Sequence, residues 1–166
     1  MIDFTSLKYY EPAWVPRRDK VFKAAALGDD EACARYIANP KGEDVPRAVA
    51  TRVLYGAAYG GHVRTCLLGF RSGGYAAQFD IMLWHAVEGG QMTTMLLALN
   101  WLKTATSSML DDEYACSPDD KHYELRQEHR ASFKTALSKA LEYAVQPGQD
   151  ILKEILEGEL RCEQWL

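Results

Sequence analysis

The sequence predicts an all-α fold, a short helical-repeat solenoid with a long C-terminal helix. Three observations lead there. One pattern recurs at Val21–Ile37, Leu54–Phe70 and Leu83–Leu99, and recurrence at such a period marks stacked units. Further on, Tyr123, Arg126, Arg130, Phe133, Leu137, Leu141 and Ala144 follow one another at three-to-four spacing, the stripe of an amphipathic helix. A length of 166 residues with 48% hydrophobic content supplies one domain, or one short array, with a sizeable core.

The elements follow in chain order. Residues 1–17 hold Tyr9, Tyr10, Pro12, Trp14 and Pro16. Two prolines argue against a long helix there, so an extended arm packed over the first repeat is expected. Residues 18–102 hold the repeats. Each unit opens on an aliphatic residue (Val21, Leu54, Leu83) followed by an aromatic one (Phe22, Tyr55, Trp84). A small pair comes next (Ala24-Ala25, Ala57-Ala58, Ala86-Val87), then a glycine (Gly28, Gly61, Gly90), with glycine separations of 33 and 29 residues. The reading is a short helix, a turn and a second helix. Small side chains let neighbouring helices approach closely. The glycine supplies the left-handed residue that ends the first helix. The second helices carry Cys33, Tyr36 and Ile37, then Cys66 and Phe70, then Met95, Ala98 and Leu99. No pair buries its apolar face alone, so the pairs stack.

These residues resemble the ankyrin repeat, whose period is usually about 33 residues. Ala57-Ala58-Tyr59-Gly60-Gly61-His62 and Ala24-Ala25-Ala26-Leu27-Gly28-Asp29 match it best. The likeness spans roughly residues 18–100, and Leu141–Leu156 reads as a weaker fourth copy, with Ala144-Val145 and Gly148 in place and Pro147 altering the turn. The family's Thr-Pro-Leu-His opening is missing, and an aromatic stands where its histidine would be. The Gly-Ala-Asp signature of the projecting finger is missing too. Reduced fingers and irregular connectors are therefore expected, and a generic α-solenoid is the alternative fold. The resemblance implies a rigid concave surface that binds protein and carries no active site.

Residues 103–117 read as a polar, acidic insertion that breaks the helical pattern. Ser117 suits an N-cap, with Pro118 at the first helical position. A long helix is expected from Pro118 to about Val145, and Leu152, Ile155 and Leu156 belong to a last helix that caps the stack. Together these make residues 118–166 a C-terminal helical part.

Composition excludes several functions. A net charge of -4 argues against direct nucleic-acid binding. Cys33, Cys66, Cys116 and Cys162 form no CxxC pair, so no zinc ribbon or finger is expected. Cys33 and Cys66 hold equivalent repeat positions and read as small core residues. His122 and His129 stand seven apart, not the three or four of helical metal pairs. His62 and His85 give only nominal Cys/His pairs with Cys66. His62 reads as a turn residue bonding between neighbouring units, His85 as a core or groove histidine. Gly60-Gly61, Gly73-Gly74 and Gly89-Gly90 lack the lysine of a phosphate loop. No apolar run is long enough to cross a membrane, and the first residues lack a signal-peptide layout. An intracellular, cytoplasmic protein with reduced thiols is expected, in its own cell or in a host's.

The function expected is non-enzymatic: an adaptor, or an inhibitor of a partner protein. No catalytic residue, metal, cofactor or small-molecule substrate is expected. The binding residues assigned are Tyr55, Tyr59, Trp84 and Glu88 on the concave side, and Asp111, Asp112 and Glu113 in the insertion. Tyr59 and Glu88 share the position two before the turn glycine, and aromatics are favoured anchors. The alternative function is an acidic inhibitor that imitates nucleic acid through residues 111–124. Arg17, Arg18, Lys20 and Lys23 form a basic cluster too short to bind RNA or DNA.

Overall fold

The computed structural model describes residues 19–40, 46–73, 79–111, 120–144 and 147–162, with backbone alone for 105–111 and 120–130. Among these residues there are eight helices and no strand: α1 (Lys20–Ala26), α2 (Asp30–Ala38), α3 (Pro46–Gly60), α4 (Val63–Arg71), α5 (Phe79–Glu88), α6 (Met92–Asp111), α7 (Asp120–Tyr143) and α8 (Asp150–Arg161).

Local chemistry sets the helix ends. Asp19 caps α1, its Oδ1 accepting from Val21 N at 2.8 Å. Asp29 caps α2 in the same way, accepting from Ala32 N at 2.9 Å. Each cap satisfies a donor that the first helical turn leaves orphaned. Pro46 opens α3, where the missing N–H costs nothing.

The turns between paired helices repeat in detail. Gly28, Gly61, Gly90 and Gly148 have φ of 72°, 81°, 69° and 88°. In the first three, the residue after the glycine donates back to the small residue: Asp29 to Ala24 O, His62 to Ala57 O, Gln91 to Ala86 O, at 3.0, 2.9 and 2.8 Å. The glycines themselves donate to Ala25, Ala58 and Val87 O. This is the Schellman pattern, which closes a helix by using its last carbonyls.

Helices far apart in sequence pack side by side: α1 on α3, α3 on α5, α5 on α7. The second members, α2, α4, α6 and α8, pack on the first of their own pair. The result is an all-α, repeat-like arrangement of two layers. Glycines allow the closest approaches. A Cβ on Gly56 would meet Phe22 O, one on Gly60 Ala26 O, and one on Gly89 Tyr59 O. Phe22, Leu54, Met82, Leu83, Met95, Leu137 and Leu156 lie fully buried in one continuous core.

Two expectations need restating. The polar break expected from residue 103 is helical as far as Asp111, because α6 runs on through Lys103–Asp111. Lys103 helps hold it there by pairing with Glu159 of α8 at 2.7 Å. The arm over 1–17 and the Ser117-Pro118 cap lie outside the described residues. The long helix expected to follow is α7, of 24 residues.

Candidate functional site

Four of the seven predicted binding residues sit inside the stack. Tyr55 is 0% exposed, Tyr59 6%, Glu88 8% and Trp84 9%. Tyr59 and Glu88, assigned to the concave side as binding residues, are therefore buried and not presented to solvent. Each lies where first-layer helices crowd together, and Tyr59 O abuts Gly89 directly. Of the acidic set, the Asp111 side chain and all of Asp112 and Glu113 lie outside the described residues.

Tyr55, Tyr59 and Glu88 do belong to one cluster. Its rings come from three successive units. Phe22 of α1 lies 5.4 Å from His85 of α5, edge to face, and 6.0 Å from Tyr59 of α3. Tyr55 lies 5.6 Å from His85. Side chains of α1 and α5 therefore meet across α3 on this side of the layer. Such ring pairs prefer edge or offset contact and add to simple burial.

Trp84 leaves the group. Its Nε1 donates to Ala136 O of α7 at 3.0 Å, Lys139 Nζ stands 4.8 Å over its ring, and Tyr143 packs beside it. Repeat spacing put Trp84 alongside Phe22 and Tyr55. The next residue, His85, takes that place, and one residue turns a helix by about 100°.

His85 is the member that sequence reasoning left open. Its side chain is 6% exposed and neither ring nitrogen has a hydrogen-bond partner. Glu88 Oε2 lies 3.7 Å from Nδ1, beyond hydrogen-bond length. A buried polar group without a partner is costly. No sequence signal beyond its place beside Trp84 marks it.

His62 reaches the turn of the preceding unit by packing. Its ring lies over Gly28, where a Cβ would come within 2.6 Å of Nδ1. Gln91 covers Gly61 and Gln149 covers Gly90 in the same manner. Gln149 Nε2 also donates to Val87 O at 2.9 Å, and Thr94 Oγ1 to Ala58 O at 2.8 Å. The third and fourth units thus satisfy carbonyls at the end of the short helix that precedes each of them.

Cys33 and Cys66 are not activated nucleophiles. Burial pushes the Cys33 thiol up to about 12, with Asp29 and Asp30 adding to the effect. Burial alone takes Cys66 to about 12. Reactive thiols shift the other way. Cys66 Sγ faces Leu54 O at 3.9 Å, not a histidine. Cys116, His122 and His129 lie outside the described side chains. Asp80, in the first turn of α5, is raised mainly by burial, while backbone hydrogen bonds and Lys139 pull it down. Among the described residues no three His, Cys, Asp or Glu side chains converge to hold a metal ion. Nor, among them, is any helix long and apolar enough to cross a membrane.

No protein-family model, curated protein or solved structure matches the chain. Its function is therefore argued from its own repeat and its own inner face.

Proposed function

We propose that the protein is a non-enzymatic interaction module, a divergent ankyrin-type stack that acts as an adaptor or as an inhibitor of a partner protein. The supporting observation is the turn. The same positive-φ glycine and the same pair of backbone bonds recur at Gly28, Gly61 and Gly90, and the short helices before them line up as one layer. Such a layer is a rigid, concave platform, and rigidity lowers the entropic cost of binding. The partner is another protein, docking on the inner side of this layer, beneath which the buried cluster of Phe22, Tyr55, Tyr59, His85 and Glu88 keeps the platform rigid.

Affinity capture from native lysate with mass spectrometry supplies a candidate, which is then purified and titrated against the protein. Tyr59→Phe and Glu88→Gln keep the packing volume and should weaken binding by about 1–2 kcal/mol. Replacing Asp111, Asp112 and Glu113 together with alanine should leave affinity unchanged. If only the acidic triple variant loses binding, the interface is residues 111–113 and the concave-face assignment fails. If no captured protein rebinds in purified form, the interaction reading itself fails.

A further inference from the structure

The second layer has an outward side whose charge is laid out in order. On α4 the residues three, six and ten past the turn glycine Gly61 are Arg64, Leu67 and Arg71. The same places past Gly90 on α6 hold Thr93, Leu96 and Asn100, and past Gly148 on α8 they hold Ile151, Glu154 and Gly158. Steps of three and four keep such residues on one helix face. All of them are exposed except Leu67, which is half-buried. Among the described residues three large apolar side chains stand exposed, and this face carries two of them, Leu96 at 47% and Ile151 at 64%.

α6 runs between the other two helices. Phe70 of α4 stacks on Trp101 of α6 at 4.6 Å, and Lys103 of α6 pairs with Glu159 of α8 at 2.7 Å. α4 carries Arg64 and Arg71 and no acidic residue. α6 has no charged residue from Met92 to Leu102. α8 carries Asp150, Glu154, Glu157 and Glu159 against Lys153 and Arg161. Lys153, five past Gly148, lies off the outward face, and Arg161 is paired with Glu157 at 3.7 Å. Across the three helices the face therefore reads positive, then neutral and apolar, then negative.

That order is self-complementary. Turning a second copy by half a turn about an axis along α6 lays α6 on α6, α4 on α8 and α8 on α4. Leu96 then meets its own counterpart, with Leu67 and Ile151 beside it. Arg64 and Glu154 come opposite each other with an offset of three residues, about 4.5 Å along the helices, which an arginine side chain spans. Laying α4 on α4 instead would set arginines against arginines, and like charges disfavour it. The α6-centred contact uses the same patch on both copies and closes at two. It extends about 30 Å across three helices and about 15 Å along them, a footprint of ~450 Å² on each copy. Two such footprints come near the lower bound of about 1,000 Å² for a specific interface, the size of a reversible contact.

We propose that the outward face of α4, α6 and α8 is the interface of a reversible homodimer, with α4 of each copy lying over α8 of the other. The platform assigned to the partner protein belongs to the opposite layer, so the dimer carries two platforms back to back. Joined in this way they hold a paired or repeated partner more tightly than one platform does. That consequence rests on the function proposed above, whereas the dimer does not.

Sedimentation equilibrium of the full chain tests the dimer. The native protein should pass from monomer to dimer between micromolar and millimolar concentration, and added salt should move the midpoint upward. Leu96→Ser, at an exposed site, should raise the dissociation constant about tenfold or more while leaving the melting temperature unchanged. Arg64→Glu and Glu154→Lys should each weaken association, and the two changes in one chain should restore it, because both α4-on-α8 contacts then carry exchanged charges. Arg64 also pairs with Asp30 at 3.0 Å, so Arg71→Glu is measured alongside as a second reversal. A native chain that stays monomeric throughout overturns the proposal and leaves the face to a different partner. A dimer indifferent to Leu96→Ser uses another surface and overturns it as well. If the double variant regains nothing that the single ones lose, the α4-on-α8 pairing is wrong. None of these variants touches the inner cluster, so this proposal and the interaction reading fail separately.

Discussion

At the scale of single residues, the turn glycines are the sharpest test of the repeat. Gly61 combines a φ of 81° with the Gln91 side chain directly above it. Gly61→Val should therefore cost more than about 1 kcal/mol, since a β-branched residue tolerates neither. Gly148 has a similar φ of 88°, but a methyl placed there would meet no described atom within 4 Å. Gly148→Ala should cost only the backbone strain, about 1 kcal/mol, and less than Gly61→Ala. Urea denaturation of the three variants checks the order. The buried thiols give a second residue-scale expectation. Cys33 and Cys66 are held up to about 12 against an ordinary 9.0. Below the ordinary value both folded and unfolded chains keep these protons, and stability is indifferent to them. Between 9.0 and about 12 the unfolded chain releases protons that the fold retains, so stability falls as pH rises. Urea midpoints should drop more steeply above pH 9.0 in the native protein than in Cys66→Ala. Equal slopes would contradict the burial of that thiol.

At the scale of elements, adjacent units are joined by polar contacts as well as by packing. Asp19 caps α1 and also receives Arg52 Nη1 of α3 at 2.6 Å, with side chains only 10% and 13% exposed. Asp19→Ala removes a cap and leaves a largely buried guanidinium without that carboxylate. A loss of about 3 kcal/mol is expected. Arg52→Met should recover part of it in the double variant, as a thermodynamic cycle would read. Much at this scale was legible in the sequence. Three helix pairs, the fourth copy at Leu141–Leu156 and the long α7 all follow from glycine placement and apolar spacing, which are local properties. The end of α6 was not legible. Lys103–Asp111 is polar and rich in Ser and Thr, weak helix formers, and its helicity owes something to Lys103 reaching Glu159, 56 residues away. The inner face was misread for a related reason. The position of Tyr59 and Glu88 before the turn gives their place on a helix, but whether that side meets solvent depends on how closely neighbouring helices crowd it. Periodicity along one helix carries no record of such crowding.

At the scale of the molecule, burial is greatest midway along the first layer. α3 and α5 have first-layer neighbours on both sides, whereas α1 and α7 have one each among the described helices. In a stack of this kind stability is passed between neighbours, so the middle should open last. Amide exchange should be slowest in Val53–Ala58 and Ile81–Val87, and fastest in α8. Comparable rates in α5 and α8 would show that the stack opens only as a whole. The glycine covers described above add a direction to this symmetry. His62 covers Gly28, Gln91 covers Gly61 and Gln149 covers Gly90, each side chain coming from the unit that follows. During synthesis, every turn therefore waits for chain not yet made before it is finished. The assembly is vectorial: its leading edge carries an incomplete joint, which the next unit closes and re-creates one step further on. Gly148 shares the positive φ, at 88°, and no described side chain comes within 4 Å of the place its Cβ would take.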